Sequence, residues 1–174
     1  MSGIFVTKRK ISPIENGRIR LRLIEESDLP MTLAWRSQDR IRKWFLHSEI
    51  VSSEQHEEWF SQYSQRDDDY LFIIEEIRDL KKPVGQISIY KIDWEGKRAE
   101  FGRLMIGEKE ARGKGIAREA TGLILNFAFE NLGLDEVELV VKKDNKPAVT
   151  IYRDFGFNEI HESSGLKKMV KVKN

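Results

Sequence analysis

The chain has 174 residues, 40% of them apolar and 34% charged, the profile of one globular domain with a well-solvated surface. Thirty basic against 29 acidic residues give no overall pull toward nucleic acid or an anionic membrane, and no run approaches the roughly 20 apolar residues of a membrane span. Cysteine is absent, which excludes disulfides, thiolate metal sites and a cysteine-acyl intermediate; with no signal-peptide pattern near the start, a cytoplasmic protein with neither nucleic-acid nor membrane partners is expected.

Residues 1–16 carry the basic cluster Lys8-Arg9-Lys10 and read as a loosely held lead-in to a single domain over 17–174. Gly17–Ile24, GRIRLRLI, alternates arginine with aliphatic residues and predicts a half-buried strand. Ser27 or Asp28 is placed to cap a helix through about Arg36, with Pro30 in its first turn. IRKWFL over 41–46 leads through His47 into a polar turn. Ser52 or Ser53 then caps a helix to about Gln65 that turns Trp59, Phe60 and Tyr63 to its apolar side.

The acidic run Asp67-Asp68-Asp69 breaks that helix. Three strands are predicted next, over Tyr70–Ile77, Val84–Ile92 and Arg98–Ile106, the last two joined by a hairpin turn at Glu95-Gly96. Ile116, Ala120, Leu123, Ile124, Phe127 and Ala128 recur at helical spacing in a long helix from Lys114 to Leu132, with Gly133 at its C-cap. Glu136–Val141 is a short strand. Asn145 caps a helix that begins near Pro147 and ends at Gly156, and Phe157–His161 and Lys167–Val172 close the chain as a strand pair. The fold class is α/β (α+β) with a mixed sheet, since hairpins are antiparallel and the strand–helix–strand crossover is parallel.

The most informative stretch is Ala99–Ala120, AEFGRLMIGEKEARGKGIAREA, a strand, a charged turn, a glycine bend and the start of the long helix. Small residues at Gly113, Gly115 and Ala117 let a phosphate approach the backbone, and a helix N-terminus supplies positive potential. Between Gly107 and Arg118 four basic residues face two acidic ones, with Arg112 and Lys114 the candidate contacts. A Walker A loop fits poorly, because five residues separate Gly107 from Gly113 and Gly115 stands at the hydroxyl position. A Rossmann fingerprint fits no better, because Arg118 follows the Gly113–Gly115 pair where glycine or alanine belongs.

Arg112-x-x-Gly115-x-Ala117, with a strand before it, a long helix after it, and Asn145, Tyr152 and Gly156-Phe157 downstream, resembles the GNAT N-acetyltransferases. The resemblance spans about Arg20 to Phe157 and implies a mostly antiparallel central sheet, helices on both faces, and two splayed parallel central strands. It also implies direct transfer of acetyl from acetyl-CoA to an amine, with no metal. Arg112, Gly113, Lys114, Gly115, Ile116 and Ala117 would hold the pyrophosphate, and a backbone N–H near Met105 or Ile106 would polarise the acetyl carbonyl. Tyr152 matches the family tyrosine that protonates the departing thiolate, a position a core-packed tyrosine would also fill. Asn145 matches the asparagine that holds the coenzyme arm, though as a helix cap it needs no further role.

Glu100 resembles the strand glutamate that serves as base in several relatives, directly or through water. Alternation sets it with Gly102, Leu104 and Ile106 on one face, and the turn from Ile106 to Arg112 is one residue longer than in many members. The segment WRSQDRIRKWFLHSEIVSSEQHEEWF resembles the branch of ribosomal-protein N-terminal acetyltransferases and, especially, amino-sugar-nucleotide acetyltransferases. Arg36, Trp44, His47 and His56 are its candidate acceptor contacts. The expected acceptor is a small-molecule amine, an amino-sugar nucleotide above all, with a protein N-terminus or a polyamine as alternatives. A non-catalytic coenzyme A-binding module is the reading from another class, and a monomer or homodimer is expected.

Overall fold

The computed structural model describes residues 7–174, which form one eight-stranded sheet in the order β1-β2-β3-β4-β5-β6-β8-β7. The strands are β1 (Ile14–Glu15), β2 (Ile19–Leu23), β3 (Asp69–Glu76), β4 (Lys82–Asp93), β5 (Arg98–Ile106), β6 (Glu136–Lys142), β7 (Asn158–Ser163) and β8 (Leu166–Val172). Every neighbouring pair is antiparallel except β5 with β6, which the crossover through α4 (Ile116–Asn126) makes parallel.

Period-two alternation sends β3 to two cores at once. Tyr70, Phe72 and Ile74 face one side, where α4 and α5 (Lys146–Asp154) bring Ala120, Ile124, Val149 and Tyr152. Leu71 and Ile73 face the other side, beneath Leu29 of α1 (Leu29–Arg36) and Tyr63 of α3 (Ser53–Tyr63). Covered on both faces, β3 reads as a continuous apolar run. Alpha helix α2 (Asp39–Arg42) continues from α1 across the end of β5, where Trp35, Ile41 and Met105 form a third cluster.

Local chemistry accounts for most boundaries. Ser52 accepts from the Gln55 N–H at 3.1 Å while the Gln55 side chain accepts from the Ser52 N–H at 2.9 Å, a reciprocal cap that starts α3. Ahead of α1 the capping expectation is corrected: Asp28 occupies the N-cap, yet its carboxylate turns back to the Glu25 N–H and takes the Arg22 guanidinium at 2.7 and 2.9 Å. The long helix is also corrected. It is α-helical only to Asn126 and then widens into a π turn over Phe127–Asn131, closed by the Leu132 N–H on the Phe127 carbonyl. The wider turn lets Phe127, Ala128 and Phe129, three consecutive residues, all be buried.

The basic cluster near the start is not loose. The Lys8 ammonium lies among the carbonyls of Tyr63, Arg66 and Asp69 and over the Tyr63 ring, and Arg9 pairs with Asp67 and stacks on Trp94. Burial pulls the Lys8 ammonium down to about 8, against the pull of the neighbouring aspartates.

Two irregularities shape β5. Its pairing with β6 covers only Arg98, Ala99 and Glu100, after which the two strands diverge. Its pairing with β4 skips from Gly102 to Met105, and Arg103 sits at a left-handed φ of 53°, a bulge that doubles one step of the alternation. Strict alternation therefore fails here. Leu104 and Ile106 join Phe101 on the α4–α5 side, while Met105 crosses to the α1–α2 side.

Beyond β5, Gly107 lies flat under the indole of Trp35, so close that a Cβ there would fall inside the ring. Gly107→Ala should therefore cost about 1–3 kcal/mol by displacing Trp35. Urea unfolding measures it, and a loss below about 0.5 kcal/mol would show that the indole is free to move.

Candidate active site

Past Glu100 the β6-facing edge of β5 has no strand partner, so its backbone groups line an open fork. Tyr152 of α5 packs edge-on against Phe101, one residue past the end of the β5–β6 pairing, with ring centroids 5.4 Å apart and an interplanar angle of 78°. Burial pushes its phenol well above the ordinary value, so it is protonated at neutral pH. Asn145 caps α5, its side-chain oxygen accepting from the Ala148 N–H at 3.4 Å.

The glycine bend lies at the far end of β5. Gly113 and Gly115 have φ of +69° and +78°, and Gly115 is the N-cap of α4, so the first-turn N–H groups of an eleven-residue helix face outward beside it. Lys114 makes no ion pair among the described residues, and Arg112 makes one contact, 3.3 Å to the Gln38 side-chain oxygen. Arg118 is already held by Asp154 at 2.8 Å, and Glu108 and Glu110 share Lys82. Lys82 thus offsets one of the two acidic charges of the turn, and with Lys109, Arg112 and Lys114 the bend keeps a net positive charge and open backbone N–H groups. Those features fit a pyrophosphate.

On the opposite side of β5, α1, the loop over 47–51 and α3 enclose a cleft of about 470 Å³ floored by Leu71, Gln86, Arg103 and Met105. Arg36, His47 and His56 line it, so three of the four acceptor candidates come together. Trp44 does not; its ring is turned outward beneath Lys43, 4.9 Å from the ammonium. Glu100 lies on the face of β5 that carries Gly102, at the closed end of the fork, paired with Lys91 at 3.3 Å beside Glu138 and outside the cleft lining.

His56 stacks on Trp59 with centroids 5.6 Å apart, and its Nε2 is 2.8 Å from the Thr32 hydroxyl. Thr32 is within 3.2 Å of two carbonyls of its own helix; donating to them, it accepts from Nε2 and leaves Nδ1 with the free lone pair. Burial, and then the charge of Arg36, holds the imidazole below its ordinary pKa, hence neutral at pH 7.

Arg103 is the residue that sequence reasoning missed. Alternation set Glu100, Gly102, Leu104 and Ile106 together and gave Arg103 no role, and only the Gly102-Arg103 step, a glycine inside an apolar strand, marks a place for a bulge. Its guanidinium grips Asp69 at 2.7 and 3.1 Å and lies 4.2 Å over the Tyr90 ring.

The bend and the cleft are braced against each other. Trp35 donates to Glu108 at 2.9 Å, Gln38 donates to the Gly107 carbonyl at 3.2 Å, and Arg40 donates to the same carbonyl at 3.0 Å.

Residues 18–158 match the family model described as "Acetyltransferase (GNAT) domain". An N-acetyltransferase 9-like protein of Caenorhabditis briggsae is 29% identical over 78% of this chain and 72% of its own length. The spermidine N(1)-acetyltransferase of Vibrio cholerae is 26% identical over 83% and 81% of the two chains. A crystal structure of the spermidine N-acetyltransferase from that organism, in complex with CoA and spermine, superposes with a TM-score of 0.80 at 24% identity, covering 90% and 96%. Another structure from that organism is dodecameric, so these relatives give no support to a monomer or homodimer. Nor do their names support an amino-sugar nucleotide as acceptor.

Two outcomes follow from this geometry. Gly115→Val should weaken acetyl-CoA binding in calorimetry and lower stability by at least about 1–2 kcal/mol, since the strain comes from a left-handed φ rather than from crowding; unaltered affinity would discredit the phosphate reading. The NMR titration midpoint of His56 should fall below 6.5. Its contribution to stability should be intact above pH 6.5 and lost as pH falls from there through the lowered folded value.

Proposed function

Because the chain belongs to the GNAT acetyltransferase family, we propose that it moves acetyl from acetyl-CoA directly onto a primary amine held in the α1–α3 cleft. The observation that carries this reading is the early end of the β5–β6 pairing, with Tyr152 packed on Phe101 just past it, the glycine bend beyond the far end of β5 and the cleft on one side of the strand. Arg112, Lys114 and the N–H groups from Gly113 to Ala117 take the pyrophosphate. Asn145, whose side-chain oxygen is engaged by the Ala148 N–H, offers its amide N–H₂ to the coenzyme arm. A backbone N–H at Met105 or Ile106 stabilises the oxyanion as the amine attacks.

Tyr152, buried and neutral, donates its proton to the departing thiolate. The proton of the incoming ammonium goes to a base. His56 lines the cleft in its neutral form and is the better placed; Glu100, tied to Lys91 at the closed end of the fork, would act through water. A polyamine acceptor is the second reading, favoured by the spermidine N(1)-acetyltransferase among the relatives.

Thiol release from acetyl-CoA with a panel of primary amines, spermidine included, tests the reading. Tight coenzyme binding without turnover on any amine would leave only a coenzyme-binding module. Tyr152→Phe should lower kcat about 10²–10⁴-fold while the acetyl-CoA Kd stays unchanged, and an unchanged kcat would remove Tyr152 from the acid role.

A further inference from the structure

The two guanidiniums of the cleft stand in different electrostatic positions. Arg103 is neutralised in place by the buried carboxylate of Asp69. Arg36 has no carboxylate within 4.0 Å among the described residues. Its one hydrogen bond runs from Nη2 to the His47 carbonyl at 3.3 Å, and its Nε is fully buried without any partner. The guanidinium stacks 5.1 Å over the Phe45 ring, which fixes its plane without neutralising its charge.

A half-buried cation with an orphaned donor is unfavourable unless something supplies the counter-charge. Glu49 is the single carboxylate of the cleft lining, and it stands beyond ion-pair distance on an exposed loop. The remaining polar lining, Thr32, Gln55, Gln86, His47 and neutral His56, supplies hydrogen bonds and no negative charge. Burial and the charge of Arg103 both disfavour the Arg36 cation, and Glu49 offsets this only in part from beyond ion-pair distance.

We infer that Arg36 is an oxyanion subsite, so that the acceptor is a primary amine that also carries a phosphate or carboxylate group. This rests on the reading of the cleft as the acceptor site. The guanidinium binds such a group through its Nη donors, while the buried Nε–H reports on the contact. The acceptor's amine then extends toward Met105 and the fork. A polycation has the opposite requirement, a wall of carboxylates, and meets two guanidiniums here instead.

The test uses the full chain saturated with CoA, so that the glycine bend is occupied, and follows the Nε–Hε NMR resonance of Arg36. Its loss in Arg36→Gln assigns it. Inorganic phosphate, acetate and spermidine are added in turn. A saturable shift with phosphate or acetate and none with spermidine is expected, and the anion that gives it separates phosphate-bearing from carboxylate-bearing acceptors. No shift with either anion, or a shift with spermidine, overturns the inference.

In the thiol-release assay Arg36→Gln should lower kcat/KM about 10–100-fold for amines carrying the preferred anion, the scale of a charge-assisted hydrogen bond. Arg36→Lys, which keeps the charge but not the fork, should lose less and serves where the glutamine variant does not fold. Equal kcat/KM in wild type and variant also overturns the inference. Absence of thiol release with every amine would instead remove the acetyl-transfer reading and leave the NMR titration to decide this one.

Discussion

The parallel pairing of β5 with β6 stops after three residues, and the chemistry of the molecule depends on that early stop. Backbone N–H and C=O groups inside a sheet demand partners, and a strand edge that loses them mid-sheet is an unmet requirement an extended ligand can satisfy. The gap does not close, because both of its sides are braced. Phe101 and Tyr152 fill one face of it, while Trp35, Gln38 and Arg40 hold the Glu108 side chain and the Gly107 carbonyl at its outer end. The same three residues belong to the α1–α2 segment whose beginning lines the acceptor cleft. Donor and acceptor sites are therefore joined by short, directed contacts over a single turn of chain.

Much of this architecture was legible in the sequence, for identifiable reasons. Strands β3 to β6 announce themselves by apolar runs with turn residues between them, α3 by the Ser52–Gln55 reciprocal cap, and the coenzyme bend by glycines that only a left-handed backbone needs. Arg36, His47 and His56 share a cleft because the loop at 47–51 folds the two helices together; Trp44, only three residues before His47, is turned away by the same loop. What stayed hidden depended on partners distant in sequence. Asp28 abandons a capping role because Arg22 lies across from it, and the π turn at Phe127 exists because Phe72 offers a ring 5.6 Å away on β3. The single face assigned to Glu100, Gly102, Leu104 and Ile106 failed, and Arg103 was missed, for a similar reason, since a bulge is a property of two strands and not of one.

Charge in the acceptor region is organised around Asp69. Its side chain grips Arg103 from within the cleft floor, and its carbonyl helps hold Lys8 from the N-terminal segment on the other side. One buried residue thus fixes both the position of a cleft cation and the path of the chain's first described residues. Arg36 has no such ion-pair partner among the described residues, and the contrast between the two arginines is what the proposed anion subsite rests on.

The bulge at Arg103 also works as a reading frame. Upstream of it, odd positions of β5 face the α4–α5 core; downstream, even positions do, and only the extra residue reconciles the two registers. Removing that residue would subtract the arginine alone. It would leave the plain alternation Phe101-Gly102-Leu104-Met105-Ile106, with Leu104 and Ile106 still on the α4–α5 side and Met105 still toward the cleft. The bulge therefore costs the rest of the strand nothing in register and gives its cleft face one additional side chain, whereas a deletion at a regularly alternating position would move every later side chain to the opposite face.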